Sequence, residues 1–229
     1  MYKRQLEECD SDTEHHVRRT QIMGAELGKR IELSDIQQSR LSLLCLLHDI
    51  GKIGIDDKIL NKPGRLTKEE FEVIKTHSAI GASMLESLEY YKNEPLVRIA
   101  HDICRWHHER YDGKGYPDGL KGEEIPISAQ VVALADVYDA LISERVYKKA
   151  YSHEKAVEMI LNGECGTFNP LLLECLKDIQ SRLKEEMISM AEERTETEDK
   201  GSATSEFDGY EKTKEQFFKS VSEDIKKEY

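Results

Sequence analysis

The sequence predicts an all-α protein, a helical bundle with a metal site in its core and one long loop. Three observations support this fold class. Most of the 229 residues fall into segments with apolar residues at helical spacing, several of which begin at a recognisable cap. Histidine or aspartate side chains occupy inward positions on four of these segments. A hydrophobic content of 38% is sufficient for one domain with a sizeable core.

Two capping boxes mark helix starts, each with a Ser or Thr followed three residues later by Gln or Glu. They are Ser34 with Gln37 and Thr67 with Glu70, and the helices are expected to end near His48 and Leu88. Four further helices are predicted from their first turns. Their expected spans are Pro95 to about His108, Ser128 through Ile142, Ser152 to Gly163, and Asn169-Pro170 through about Met187.

Residues 111–126, YDGKGYPDGLKGEEIP, are predicted to form a long loop, because their glycines and prolines break regular structure. A loop of this length is often functional. From residue 191 the composition becomes polar, so we expect one domain over 1–190 and a linker with a weakly amphipathic end over 191–229. The abrupt start of the chain suggests a piece of a longer protein, with a possible regulatory domain elsewhere.

Composition excludes several function classes. A net charge of -12 argues against binding of polymeric nucleic acid, which requires a basic surface. No apolar stretch reaches the length of a membrane span. The five cysteines show no metal-binding spacing, so we expect reduced thiols and a cytoplasmic protein, with Cys45 in the core.

The pair His48-Asp49, followed by Gly51-Lys52, is the strongest chemical signal. Leu41, Leu44 and Cys45 precede His48 at helical spacing, so the imidazole shares their inward face. A lone histidine there would more often be a core residue. An imidazole and a carboxylate together at the end of an apolar face need compensation, which a cation provides.

The same inward placement recurs on other predicted helices. His77, His107 and Asp136 each follow apolar residues at helical spacing, so four helices direct polar groups toward one core. Mixed histidine and carboxylate ligands without cysteine suit iron, manganese or related metals. The pattern therefore predicts a metal centre inside the bundle.

The motifs HDIGK, HHERYDGKGYP and ALADVYDAL with SERVYKKA resemble the HD-GYP family in order and spacing, from about Asp12 to Leu176. The resemblance implies an HD-domain bundle and a cyclic di-GMP phosphodiesterase that forms pGpG and, in some members, GMP. It implies these metal ligands: His48, Asp49, His77, His107, His108 and Asp136, with Asp49 bridging two ions. It also implies roles for Lys52 in catalysis and phosphate contact, and for Gly115, Tyr116, Pro117, Arg145 and Lys148 in substrate binding.

Some family members hold a third metal through a Glu and a His four residues apart. Here His16 matches the histidine, but Asp12 stands where those members have Glu. Because Asp is one methylene shorter, the expectation is two or three divalent ions, and we favour three. Other cyclic dinucleotides, such as cyclic GMP-AMP, stay open as substrates. Two other functions stay open as well: an HD hydrolase for another nucleotide or phosphate ester, and a catalytically weak signalling domain that binds a nucleotide or a partner.

Overall fold

The computed structural model describes residues 13–91, 93–144 and 149–199; for residues 13–15 and 191–199 it describes the backbone only. Within these ranges all regular structure is helical, so the all-α prediction is confirmed. The eight α-helices are α1 Thr13–Arg30, α2 Asp35–Leu44, α3 Asp57–Leu60, α4 Lys68–Glu86, α5 Pro95–Trp106, α6 Ile127–Ile142, α7 His153–Leu161 and α8 Pro170–Asp199. Short 3-10 helices cover Cys45–Leu47, Ile50–Gly54 and Gly122–Glu124.

Most of the predicted caps are confirmed. Both capping boxes form, at Ser34 for α2 and at Thr67 for α4. Ser152 caps α7 by accepting from the backbone N–H of Lys155. The prediction for Ser128 was wrong, because the carbonyl of Pro126 already accepts from the backbone N–H of Gln130 at 3.0 Å. Helix α6 therefore starts at Ile127, and Ser128 lies inside its first turn.

Helix α1 is the main element that the sequence patterns do not predict. Its glycines lower helix propensity, but they allow close packing against α2 and the turn that follows it. A Cβ atom at Gly24 would lie 3.0 Å from the sulfur of Cys45, and one at Gly28 would lie 3.7 Å from Leu41. Cys45 is fully buried there, which confirms its prediction as a core residue.

Helix α6 lies at the centre of the domain. It packs against α1, α5 and α7, and its residues 129–135 are all buried. Helix α4 packs against α5 and the 3-10 helix Ile50–Gly54. The helices that carry the predicted ligands therefore surround one common core.

The chain divides into two units, residues 1–184 and 185–229. The first contains α1 to α7 and the start of α8, whereas the second is described only as the rest of that helix, to Asp199. Helix α8 thus extends into the segment predicted as a linker, where Ala and Glu residues favour helix. The division at residues 190 and 191 stays a prediction. None of the described helices is both long and apolar enough to cross a membrane.

Candidate metal centre

Five histidines and one aspartate converge where α1, α4 and α5 meet the turn after α2. Their possible ligand atoms form two groups that share Asp49, and within each group the atoms lie within 4.8 Å of one another. The first group is Asp49, His77, His107 and His108; the second is His16, His48 and Asp49. Residues from positions far apart in the chain thus face one small volume.

Asp49 presents its two oxygens to different groups of histidines. Its Oδ1 lies 3.2 Å from Nε2 of His77 and 3.8 Å from Nε2 of His107. Its Oδ2 lies 3.2 Å from Nε2 of His48. Asp49 is therefore the residue that the two candidate ligand groups have in common.

Backbone hydrogen bonds orient three of the imidazoles. Nδ1 of His48 lies 2.6 Å from the carbonyl of Cys45, Nδ1 of His77 lies 2.7 Å from that of Ile74, and Nδ1 of His107 lies 2.9 Å from that of Ile103. Because a carbonyl only accepts, each neutral ring carries its proton on Nδ1 and directs the lone pair of Nε2 into the cluster.

The facing Nε2 atoms test whether a metal would fit. They lie 3.2 Å apart between His16 and His48, and 3.4 Å apart between His77 and His107. Two lone pairs at this distance repel when both rings are neutral, and a shared cation removes the repulsion. The donor set, imidazole nitrogen with carboxylate oxygen, suits divalent transition metals.

The electrostatics favour neutral rings on the α5 side of the cluster. Burial, reinforced by the neighbouring histidines, lowers the pKa of His107 and His108 well below the usual value. Burial also disfavours the charged form of His48, but Asp49 and Asp136 outweigh it and raise the pKa of His48 to about 9. Although burial opposes ionisation of Asp49, His48 and Lys52 hold its pKa well below the ordinary value.

His16 is oriented by a carboxylate that sequence reasoning missed. Nδ1 of His16 lies 2.8 Å from Oδ2 of Asp139, which is almost fully buried. The guanidinium of Arg19 donates to the other oxygen of Asp139, and Ser143 donates to the same carboxylate at 3.2 Å. The available signal was the spacing of Asp139, one turn after Asp136 on a buried helix. Asp136 itself lies 3.8 Å from Nε2 of His16 and belongs to neither ligand group.

Gly51 allows the turn that carries His48 and Asp49 to approach α4. A Cβ atom at Gly51 would lie 1.9 Å from the carbonyl oxygen of His77 and 2.5 Å from the backbone nitrogen of Gly81. Any other residue would force the two backbones apart. The glycine of the HDIGK motif thus sets the distance between Asp49 and His77.

Lys52 lies beside the bridging carboxylate, with Nζ 2.6 Å from Oδ2 of Asp49. Its side chain is 28% exposed. The predicted roles of Lys52 in catalysis and phosphate contact stay predictions.

A cleft of about 320 Å³ opens beside the cluster. His107, His108 and Asp136 line one part of it. The aromatic and cationic side chains of the lining are Phe71, Tyr116, Phe168, Lys75, Arg110 and Lys114, and Glu109 and several small or apolar residues complete it. Of the predicted substrate-binding residues, Gly115 and Tyr116 line this cleft, while Pro117 follows them in the same loop. The ring of Tyr116 stacks on that of His108, with centroids 4.7 Å apart and planes at 25°.

Three predicted site residues lie outside the described residues. They are Asp12, the candidate third-metal ligand, and Arg145 and Lys148, the candidate phosphate contacts.

Comparison with known proteins identifies the family. Residues 5–168 match the HD domain family. A probable cyclic di-GMP phosphodiesterase of Vibrio cholerae is 43% identical over 175 residues, 72% of this chain and 40% of that protein. A 3'3'-cGAMP-specific phosphodiesterase of the same organism is 34% identical over 171 residues, 75% of this chain and 32% of that protein.

Among solved structures, the HDG"Y"P protein Bd1817 of Bdellovibrio bacteriovorus superposes with a TM-score of 0.57. It is 21% identical, with 74% of this chain and 52% of that one covered, and this likeness shows the shared fold. The chain spans less than half the length of the two phosphodiesterases. It belongs to the HD domain family.

Proposed function

We propose that this chain is a metal-dependent phosphodiesterase that hydrolyses cyclic di-GMP to linear pGpG, with GMP as the product of a second cleavage. The observation that carries the proposal is the position of Asp49. Its two oxygens face different histidines, His48 and His77, and a cleft that includes aromatic and cationic side chains opens beside them. Hydrolysis of a phosphodiester by two metal ions needs ligands for a metal pair next to room for the substrate, and this arrangement offers both.

The proposed ligands are His48, Asp49, His77, His107, His108 and Asp136, which would hold two divalent ions, iron or manganese. When bound, the ions supply activation of water at neutral pH and neutralisation of the phosphate charge. His16, which lies in one group with His48 and Asp49, would contribute to holding a third ion if the shorter Asp12 carboxylate also reaches it. The separate bond of His16 to Asp139 supports a site on that side, because it orients the Nε2 lone pair toward the cluster.

The protein contributes orientation and proton transfer. Hydrogen bonds from Nδ1 to backbone carbonyls fix the rings of His48, His77 and His107 before any ion binds. We assign Lys52 to the phosphate or to protonation of the leaving oxygen, because its ammonium lies beside Asp49 and its side chain is partly exposed. No serine or cysteine nucleophile is needed in this scheme.

Substrate binding is assigned to the cleft. Tyr116, with Gly115 and Pro117, would stack on a guanine base. Arg145 and Lys148 would bind phosphate oxygens, for which the planar guanidinium of arginine is well suited. The described cations Lys75, Arg110 and Lys114 add positive charge to the cleft of a strongly acidic chain. A cytoplasmic location and regulation by a domain elsewhere in the full protein accord with this role.

The decisive experiment is anaerobic purification, metal analysis and incubation with cyclic di-GMP and 3'3'-cGAMP, followed by product chromatography. We expect at least two metal ions per chain and conversion of cyclic di-GMP to pGpG, lost in Asp49→Ala. Faster hydrolysis of 3'3'-cGAMP would reassign the substrate. Full metal occupancy without turnover of either nucleotide would contradict the enzyme and favour a binding domain.

A further inference from the structure

The end of α5 is the place where the metal cluster meets the GYP segment, defined here as residues 115–119. Arg105 donates from Nε and Nη2 to the two oxygens of Asp118, at 2.7 and 2.8 Å. The indole N–H of Trp106 donates to Oδ2 of the same carboxylate at 2.8 Å. The two residues that immediately precede His107 thus hold the side chain of Asp118.

The side chain of Glu109 holds the same segment through the segment's backbone N–H groups. Its Oε1 accepts from the backbone N–H groups of Asp118 and Gly119, at 2.7 and 2.8 Å. Glu109 is 5% exposed, and its Oε2 is buried without a hydrogen-bond partner within the described residues.

These contacts determine where the GYP segment lies against the histidines. The backbone N–H of Tyr116 donates to the carbonyl of His108 at 3.3 Å, and its ring stacks on the imidazole. A Cβ atom at Gly115 would lie 2.4 Å from Cα of Glu109, so the two backbones are in direct contact. His108 is thereby enclosed between the ring of His107, at 4.0 Å between centroids, and that of Tyr116.

We propose that Asp118 and Glu109 are positioning residues for substrate binding, which fix the GYP segment on α5 so that Tyr116 forms the cleft wall over His108. Asp118 does not line the cleft; Glu109 does, but its described hydrogen bonds go to the GYP segment, and we assign it to that segment and not to the substrate. Undocking of the segment would remove the wall and leave the cluster in place. This inference rests on the proposed function for its substrate.

The test uses Asp118→Ala and the intrinsic emission of Trp106, the single tryptophan of the chain. We expect a changed emission spectrum, because the indole loses its carboxylate partner. The KM for cyclic di-GMP should rise roughly tenfold while kcat changes by about twofold or less. The reason is that the cleft wall binds the substrate and the transition state equally, so its loss weakens both alike. Metal content and turnover of bis(4-nitrophenyl) phosphate, which lacks a base, should stay at wild-type values.

Asp178→Ala is the matched control. Asp178 also pairs with an arginine, Arg30, at 2.6 and 2.8 Å, on a surface away from the cleft. Its loss should leave emission and both kinetic constants unchanged. A wild-type KM in Asp118→Ala, with or without a spectral change, would overturn the proposal, as would an equal rise of KM in Asp178→Ala.

Glu109 gives an independent pair of variants. Glu109→Gln keeps an oxygen that can accept from both backbone N–H groups, whereas Glu109→Ala removes it. We expect Gln to restore most of the wild-type KM and Ala to resemble Asp118→Ala, with circular dichroism confirming that both fold. Equal defects in the two variants would contradict positioning by this acceptor.

The two proposals fail in distinguishable ways. If wild-type protein loaded with metal cleaves no diester, the proposed function is wrong. Positioning is then judged from the Kd for cyclic di-GMP, measured by equilibrium dialysis on wild type and Asp118→Ala. A tenfold weaker Kd in the variant supports positioning, and an equal or absent affinity in both proteins refutes it.

Discussion

The metal cluster and the wall of the cleft are built in different ways, although they meet at His108. The cluster is set by helix packing, with buried imidazoles bonded to backbone carbonyls. The wall is an irregular segment held mainly by ionic hydrogen bonds around Asp118. The histidines and Asp49, which we assign to catalysis, therefore depend on the packing of the core. Tyr116, which we assign to substrate choice, depends on a loop whose sequence can vary without altering that core.

Among the variants that test the comparison between the metal cluster and the cleft wall, Asp49→Ala is expected to have the largest effect. It removes the carboxylate shared by both ligand groups, so we expect activity on every diester to fall to background, with at least one metal ion lost. Metal analysis and assays on cyclic di-GMP and bis(4-nitrophenyl) phosphate check this. Retained turnover of either substrate would show that the bridge is dispensable and that the cluster does not work as a unit.

Gly51→Ala tests whether the cluster depends on core packing. The added Cβ would collide with the backbone of α4 at His77. We expect the free energy of unfolding to fall by about 1–3 kcal/mol, together with weaker metal binding. Gly54→Ala is the control in the same 3-10 helix, because its Cβ would meet only the side chain of Ile80, which can shift. Thermal unfolding that ranks the two variants equally would contradict the role of the close approach.

Asp139→Asn tests the orientation of His16. Loss of the charged partner of Nδ1 should lower metal affinity by about 10–100-fold at the His16 side of the cluster and leave the fold intact. Asp102→Asn is the control, since Asp102 pairs with Nδ1 of His101 at 3.1 Å outside both ligand groups. Metal titration followed by calorimetry measures both. Unchanged affinity in Asp139→Asn would show that the charge of Asp139 is not needed for metal binding.

The smallest effect is expected for Tyr116→Ala, which alters the wall alone. We predict a KM for cyclic di-GMP raised by roughly tenfold, since stacking on one base contributes about 1–3 kcal/mol. Turnover of bis(4-nitrophenyl) phosphate should stay near wild type, and Tyr116→Phe, which keeps the ring, should behave normally. Loss of metal in Tyr116→Ala would show that the metal cluster depends on the cleft wall, through the stacking of the Tyr116 ring on His108.

Much of the cluster was predictable because helical periodicity determines which side a residue faces. His48, His77 and His107 follow apolar residues at that spacing, and all three are buried. The distances between them were not predictable, since they depend on how α4 and α5 pack. Only the structure shows that Gly51 touches the backbone of His77.

Two features of the structure could not be predicted from the sequence, for physical reasons. Gly24 and Gly28 disfavour a helix locally, yet packing of α1 against α2 stabilises one. Asp139 lies one turn from Asp136 in the same apolar run, and spacing alone does not distinguish a ligand from the carboxylate that orients a ligand. The contact with Arg19, from a distant helix, makes that distinction.

The hydrogen bond between His16 and Asp139 joins residues 123 positions apart in the chain. During synthesis, the histidine leaves the ribosome long before the carboxylate that orients it. The complete cluster therefore forms only after most of the domain has been translated. A chain interrupted before α6 would carry all the residues of both ligand groups but would lack the carboxylate that orients His16.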